Sequence, residues 1–332
     1  MTVSSSDFLH LPYTPDLSEA GIAHALRSLP YTFGRVGNSP YDRLRRVVAS
    51  VAVELAFRRH LSQLNIPFEV KGAMPFTDPD RYDVSLGGHR CDIKSFLISR
   101  REQISEMRRH PEVMLNAPAL VPSDQYAGDG HSDHDLYLFA FLAGLIAASQ
   151  DDLKKVIEAG QAYYLLHPMP QEWCRPLNWN PLGPLVLKSE SQVELLVELS
   201  GQGANREFLT RTLSLPPKTR VVVEDVFHSL AALHVNHQPD ARVGIYSTAI
   251  QETHIIAPFD WGNIHVYGMD IHLVGYISCG EFRQKSSQIA PNSRVFQFNH
   301  TQAKNLAVPI SDLMPLSGLF EKVRVWEANK TL

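Results

Sequence analysis

The sequence has little cysteine and no long hydrophobic run. It contains 3 cysteines among 332 residues, and because they lie far apart without a CxxC pair, neither a disulfide framework nor a zinc ribbon is expected. The longest apolar run, residues 136–148, is interrupted by a glycine and is shorter than the ~20 residues of a membrane-spanning helix. Residues 1–7 have neither the basic flank nor the apolar stretch of a secretory signal. We therefore expect a cytoplasmic protein without a membrane segment.

Charge of either sign is also not in large excess. The 31 basic and 35 acidic residues leave a net charge of −4, which gives no overall nucleic-acid signature. Residues 40–110, however, carry 13 Lys/Arg against 9 Asp/Glu, a net of +4, whereas the remainder carries a net of −8. Because 44% of the residues are hydrophobic and 20% are charged, wholesale disorder is excluded.

The length favours more than one domain. Hydrophobic periodicity predicts a long helix, three short strands, a helix, a strand, a helix and a strand, an order typical of an α/β domain with a small mixed sheet. These elements are expected at residues 41–64, 68–72, 82–86, 89–98, 101–110, 136–142, 150–158 and 163–167. A break rich in proline and tryptophan follows. We therefore predict an N-terminal arm at 1–40, an α/β domain at 41–170, a linker at 171–184 and a strand-rich domain at 185–332.

The predicted strand-rich domain contains several β-type segments and one helical alternative. Strands are expected at residues 242–248, 253–259, 263–278, 294–298 and 304–310, and a helix is considered for residues 222–233.

Gly87 and Gly88 join two alternating segments and predict a tight hairpin turn. Residues equally distant from the turn pair with each other, so Asp83 is expected opposite Asp92, with Cβ atoms about 4.5–5.5 Å apart. Lys94 lies two residues beyond Asp92 and therefore points to the same face. The hairpin is thus predicted to present two carboxylates and an ammonium group.

Two opposed carboxylates repel each other, and a divalent cation that prefers oxygen ligands, Mg²⁺ or Mn²⁺, would offset the repulsion. Lys94 would then orient or deprotonate an attacking water, or stabilise the charge that develops on a phosphate. Glu54, on the preceding helix, is a third acid beside apolar neighbours. This set of groups suits metal-assisted hydrolysis of a phosphodiester. Because of the repulsion, Asp92→Asn is expected to leave the stability of the metal-free protein unchanged or raised.

A Glu on a helix, an Asp on one strand and Asp-x-Lys on the next resemble the PD-(D/E)xK nuclease superfamily, which includes restriction endonucleases, Holliday-junction resolvases and transposon end-cleaving nucleases. Here the pattern is Glu54, Asp83 and Asp92-Ile93-Lys94, within residues 41–170. The resemblance implies a restriction-endonuclease-like αβββαβ core with a mixed central sheet. It also implies Mg²⁺ (or Mn²⁺) bound by Asp83, Asp92 and the Ile93 carbonyl, with Glu54 helping and Lys94 catalytic.

The sequence departs from the superfamily pattern in two respects. The hairpin is tighter than in many members. The Pro-Asp pair falls at Pro79-Asp80, but the hairpin register directs Asp80 to the opposite face, so Asp83 is the preferred acid.

Basic side chains around this pattern are candidates for phosphate contacts, although each also fits a solvated helix face. The candidates are Arg45, Arg46, Arg58, Arg100 and Arg101. Glu54 likewise has an alternative interpretation, an ion pair with Arg58 one helical turn later. His131 and His134 lie in a polar loop and would need further ligands to bind zinc.

The sequence thus predicts a metal-dependent nuclease, with DNA as the expected substrate and, by family resemblance alone, a role in restriction, defence or mobile-element processing. Two alternatives stay open: an RNase with the same fold, and a non-catalytic nucleic-acid-binding or scaffolding subunit of a larger complex. Residues 185–332 would serve recognition or assembly, as a homodimer or with a partner protein.

Overall fold

The computed structural model describes residues 2–32, 39–70, 83–128 and 130–330. The helices in these ranges are α1 (Pro15–Thr32), α2 (Pro40–Gln63), α3 (Arg101–Arg109), α4 (Ser123–Gly128), α5 (Gln150–Glu158), α6 (Gln171–Cys174), α7 (Cys279–Lys285) and α8 (Leu316–Lys330). The strands are β1 (Leu9–Pro12), β2 (Val84–Leu86), β3 (His89–Ile98), β4 (Pro118–Pro122), β5 (Leu136–Ile146), β6 (Leu165–Pro168), β7 (Leu185–Ser189), β8 (Leu195–Gln202), β9 (Phe208–Leu215), β10 (Arg220–Val223), β11 (Ser229–Val235), β12 (Val243–Ser247), β13 (Glu252–Ile256), β14 (Gly262–Asn263), β15 (Val266–Ser278), β16 (Ser287–Ile289) and β17 (Asn305–Pro309). None of the helices in the described ranges is both long and apolar enough to cross a membrane.

The chain divides into two compact units, each built from separate stretches of sequence. Unit 1 comprises Met1–Gly21, Ala49–Leu145 and Tyr267–Leu332, and unit 2 comprises Ile22–Val48 and Ile146–Val266. This division differs from the predicted one, because the expected linker at 171–184 lies inside unit 2 and residues 267–332 belong to unit 1. The reason is long-range pairing: β15 joins the sheet that contains β5 and β3. Amino-acid composition along the chain does not reveal that a strand late in the sequence pairs within an earlier sheet.

Unit 1 is built on a mixed sheet with strand order β1-β15-β5-β3-β2. The β2 and β3 strands are antiparallel, whereas β3 and β5 are parallel. The β5 strand is apolar and buried over most of its length, as expected for a strand in the middle of a covered sheet. Its aromatic residues Tyr137, Phe139 and Phe141 pack with Phe282 of α7 in the unit 1 core. The predicted mixed α/β architecture with a mixed sheet is therefore confirmed.

Unit 2 contains two antiparallel sheets. Their strand orders are β10-β7-β12-β13 and β14-β6-β11-β8-β9. Large apolar side chains, including Trp173 and Trp261, fill the core of this unit. The proline-rich segment contributes to that core, since Trp173 lies on α6 and the Leu182 N–H donates to the Phe227 carbonyl. It is therefore part of unit 2, not a linker.

Individual elements agree with the sequence where periodicity is strong, as in α2, β3, α3 and α5. Of the strand predicted at 68–72, the described part makes one isolated bridge, from Glu69 to Ser85, and the rest lies outside the described residues. The helix considered for 222–233 is wrong: this segment forms the end of β10 and most of β11. The strand predicted at 294–298 is also wrong, because Val295 and Phe298 close a turn through two backbone hydrogen bonds.

Candidate active site

The β2–β3 hairpin has the predicted register. Val84 pairs with Cys91 and Leu86 pairs with His89, so Gly87 and Gly88 form the turn. Both glycines have positive φ, +61° and +87°, which a two-residue turn of this kind requires. The turn also packs closely, because a side chain at Gly87 would come within 2.7 Å of Trp326 on α8.

Asp83 and Asp92 flank the hairpin as expected. Asp83 directly precedes β2; its N–H donates to the Cys91 carbonyl (3.2 Å), and its Oδ2 accepts the Ile93 N–H (2.7 Å). Burial, followed by the nearby charges of Asp92 and Glu54, raises the pKa of Asp83. The structure therefore brings the three predicted acids close enough to interact electrostatically.

Lys94 makes the closest contact with Asp92. Its Nζ lies 2.5 Å from Oδ2 of Asp92 and donates to Oε1 of Gln125 at 3.1 Å. The side chains of Asp92 and Lys94 are 17% and 13% exposed. Burial alone would raise the pKa of Asp92, but the charge and hydrogen bond of Lys94, together with those of His131, outweigh burial and lower the pKa. The repulsion thus raises the pKa of Asp83, while Asp92 is the ion-pair partner of Lys94. We therefore expect Asp92→Asn to lower the stability of the metal-free protein, in place of the unchanged or raised stability expected from the sequence.

Glu54 lies on α2 and forms the alternative ion pair considered from the sequence. Its Oε1 accepts from Nη2 of Arg58, one turn further along the helix. The same Arg58 nitrogen donates to the backbone carbonyl of Asp83 at 2.8 Å. Arg58 therefore ties the helix to the start of β2, and its contact with phosphate stays a prediction. The charge of Glu54 also acts on Asp83, and its role at the predicted metal site stays a prediction.

His131 and Gln125 are two residues of the site that sequence reasoning did not place there. His131 is 4% exposed, with Nε2 3.8 Å from Oδ2 of Asp92 and Nδ1 3.6 Å from Oδ2 of Asp135. The parallel pairing of β3 with β5 matches Asp92 with Tyr137, which brings the loop before β5 to the acidic face. The sequence indicated only that His131 lies in a polar loop. That this loop lies beside Asp92 follows from the pairing of β3 with β5, which the sequence did not predict.

Arg45 corrects one of the predicted nucleic-acid contacts. It is 3% exposed, and its Nε and Nη2 donate to the Asn263 carbonyl at 2.9 and 2.7 Å. Ala49 and Ala52, four and seven residues further along α2, are buried as well. The buried stripe of the helix is therefore wider than its branched residues indicate, and Arg45 has a structural role inside unit 2.

The other arginine candidates are exposed. They are Arg46, Arg100 and Arg101. Arg100 donates to Oδ1 of Asn299 (2.7 Å) and to the Phe296 carbonyl (3.2 Å). Contact of these side chains with nucleic acid stays a prediction.

The donor set fits a hard divalent cation. Asp83 and Asp92 supply carboxylate oxygens, Glu54 adds a third acid nearby, and the Ile93 carbonyl stays the predicted backbone ligand. Comparison with protein-family models, with curated proteins and with solved structures finds no match for this chain.

Proposed function

We propose that this protein is a metal-dependent nuclease that hydrolyses phosphodiester bonds, with DNA as its first expected substrate. The observation that carries the proposal is the juxtaposition of Asp83, Asp92 and Lys94 on one hairpin, where the charge of the α2 residue Glu54 also acts on Asp83. Placing several ionisable groups together with little exposure to solvent costs desolvation and repulsion free energy. Clusters of this kind concentrate at functional sites.

The acids are held in place by the chain. Asp83 is oriented by the Ile93 N–H and Asp92 by Lys94, so each carboxylate has one oxygen fixed by a short contact. Mg²⁺ or Mn²⁺ bound by these oxygens would polarise the phosphate and lower the pKa of a bound water.

Lys94 is the residue that would stabilise negative charge on a bound phosphate. Gln125 and Asp92 fix its ammonium group, which also lies 5.7 Å from the centre of the Tyr137 ring. A preorganised cation stabilises negative charge that develops on a phosphodiester without having to reorganise during the reaction. His131 approaches Asp92 from the other side and is a candidate for positioning that carboxylate.

The topology supports the resemblance to the PD-(D/E)xK superfamily. A helix that carries the Glu precedes an antiparallel pair that carries Asp and Asp-x-Lys. After α3 the chain passes through β4 and α4 and returns as β5, parallel to β3. Apart from β4 and α4, this order agrees with the later part of a restriction-endonuclease-like core. A role in restriction, defence or mobile-element processing rests on the resemblance alone.

A cleavage assay of the wild type beside Lys94→Ala tests the proposal. The substrates are supercoiled plasmid, linear duplex, single-stranded DNA and RNA, each with Mg²⁺, Mn²⁺ or EDTA. Lys285→Ala is the matched control, because Lys285 is an exposed lysine of the same unit. We expect metal-dependent cleavage that Lys94→Ala reduces by at least about 100-fold, the scale of losing a charge-stabilising group, and that Lys285→Ala preserves.

Two results would contradict the nuclease. Equal cleavage by wild type and Lys94→Ala would assign the activity to a contaminant or to another site. No cleavage of any substrate by folded wild-type protein would favour the binding or scaffolding subunit. Preference for RNA over DNA would retain the chemistry and change the substrate.

A further inference from the structure

A second group of potential ligands lies on β1 and β15, on the opposite side of β5 from the candidate active site. His10 pairs directly with His272 across these antiparallel strands. Asp270 lies two residues before His272, so it points to the same face. One ligand atom from each of the three side chains lies within 4.8 Å of the other two.

The contacts around these side chains favour a ligand role. Nε2 of His10 donates to Oδ1 of Asp270 at 2.9 Å, and Nε of Arg108 donates to Oδ2 of Asp270 at 3.0 Å. The rings of His10 and His272 are tilted, with centroids 5.1 Å apart. Nε2 of His272 is buried and makes no hydrogen bond with any residue that the structure describes. A buried polar atom without a hydrogen bond is uncommon and points to a missing partner.

We propose that His10, Asp270 and His272 form a binding site for a divalent transition-metal ion, with Zn²⁺ as the expected ion. Two imidazoles and one carboxylate are the donors that Zn²⁺ accepts, whereas Mg²⁺ prefers oxygen ligands alone. Three protein ligands leave a fourth position open to water or an anion. The proposal goes beyond the nuclease function, because it uses none of the same side chains.

The geometry requires little movement. Ligand atoms of tetrahedral Zn²⁺ lie about 3.3 Å apart, so the three side chains would close slightly from their present spread. The ion would replace the hydrogen bond between His10 and Asp270. Arg108 would then orient the carboxylate from outside, as partners of metal ligands commonly do. Since β1 is an edge strand, the bound ion would join it to β15 and stabilise unit 1.

The test titrates EDTA-treated, dialysed full-length protein with Zn²⁺ by calorimetry and with Co²⁺ by visible absorption, and it measures Tm with and without Zn²⁺. We expect saturable binding, tetrahedral Co²⁺ bands, and a Tm increase of several degrees once Zn²⁺ is about 100-fold above its Kd. His10→Ala and His272→Ala should each abolish the bands and the Tm increase. His10 is 54% exposed, so its replacement leaves the core intact.

Two controls locate the site. His110→Ala removes an exposed histidine that contacts Glu112 and should bind Zn²⁺ like the wild type. Asp92→Asn alters the candidate active site and should also retain the Co²⁺ bands, which separates this proposal from the nuclease. The absence of Zn²⁺ and Co²⁺ binding, or equal binding by the wild type, His10→Ala and His272→Ala, would overturn the proposal.

Discussion

The two units place ionisable side chains among their strands in different ways. In unit 1, Asp92 and Lys94 meet as a charged pair beside the carboxyl group of Asp83. In unit 2, the corresponding groups are histidines: Nε2 of His167 and Nε2 of His254 share a hydrogen bond at 2.9 Å. Both arrangements satisfy hydrogen-bonding groups away from solvent, but only the first accumulates charge.

The difference has a physical consequence. Burial lowers the pKa of His167 and of His254, and the same cause acts on His234 and His265. These rings are therefore neutral at neutral pH, and hydrogen bonds without a counter-charge, such as those of His167 to the Asp260 carbonyl and to His254, compensate for the loss of water. A charge needs a counter-charge as well, and the carboxyl group of Asp83 lies among like charges. The electrostatic cost of placing these acids together in unit 1 therefore agrees with the proposed site, because perturbed ionisable groups cluster at functional sites.

The largest expected effect is the loss of stability in Asp92→Asn. The substitution leaves the poorly exposed ammonium group of Lys94 without its counter-charge. We expect the free energy of unfolding of the metal-free protein to fall by about 2–3 kcal/mol at pH 7, measured by urea unfolding. Asp83→Asn is the matched control, since the amide still accepts the Ile93 N–H and replaces a carboxyl group whose ionisation burial and the neighbouring acids disfavour. Its stability should be unchanged or higher, and equal losses in both variants would contradict the assignment of charges.

The next effect concerns the turn that aligns Asp83 with Asp92. Gly87→Val places a branched side chain at φ +61° and against Trp326. We expect a loss of roughly 2 kcal/mol and a lower Tm. Gly318→Ala, on α8 with no neighbour within 4 Å of the added Cβ, should be neutral or stabilising by up to about 1 kcal/mol. Equal stability of Gly87→Val and Gly318→Ala would contradict a tight turn with positive φ at Gly87 packed against Trp326.

The smallest effect is the acid sensitivity of unit 2. A histidine whose pKa is lower in the native than in the unfolded state stabilises the fold fully above the unfolded value of about 6.5, and this stability is lost as pH falls through that value. We expect the free energy of unfolding to fall by on the order of 1 kcal/mol between pH 7.5 and 5.5. The measurement is urea unfolding followed by tryptophan fluorescence. It uses the variant Trp326→Phe, because its remaining tryptophans all lie in unit 2 and report on that unit.

His167→Gln combined with His254→Gln, in the same background, should flatten this dependence. A control that replaces the exposed His110 of unit 1 should leave it unchanged. A flat profile in the unmodified background would show that the buried histidines of unit 2 titrate normally.

The hairpin and its helix were readable from the sequence because their signals are local. The two-residue turn requires positive φ, which Gly87 and Gly88 adopt without strain. The register that follows from this turn places Asp83, Asp92 and Lys94 on one face of the hairpin without any long-range information. The β11 strand shows the opposite case: the apolar run at 229–235 is buried along nearly its whole length and has no period that separates helix from strand. Pairing with β6 and β8 decided its form.

What the sequence by itself determined is therefore the hairpin, the approximate bounds of the strongly periodic helices and the placement of Asp83, Asp92 and Lys94 on one hairpin. The tertiary structure alone decided that β15 returns to unit 1, that Arg45 is buried, that His131 approaches Asp92, and that His10 meets His272 and Asp270. The physical reason is the range of the forces. Turn geometry and side-chain alternation act between near neighbours, whereas strand pairing and burial join residues that lie far apart in the chain.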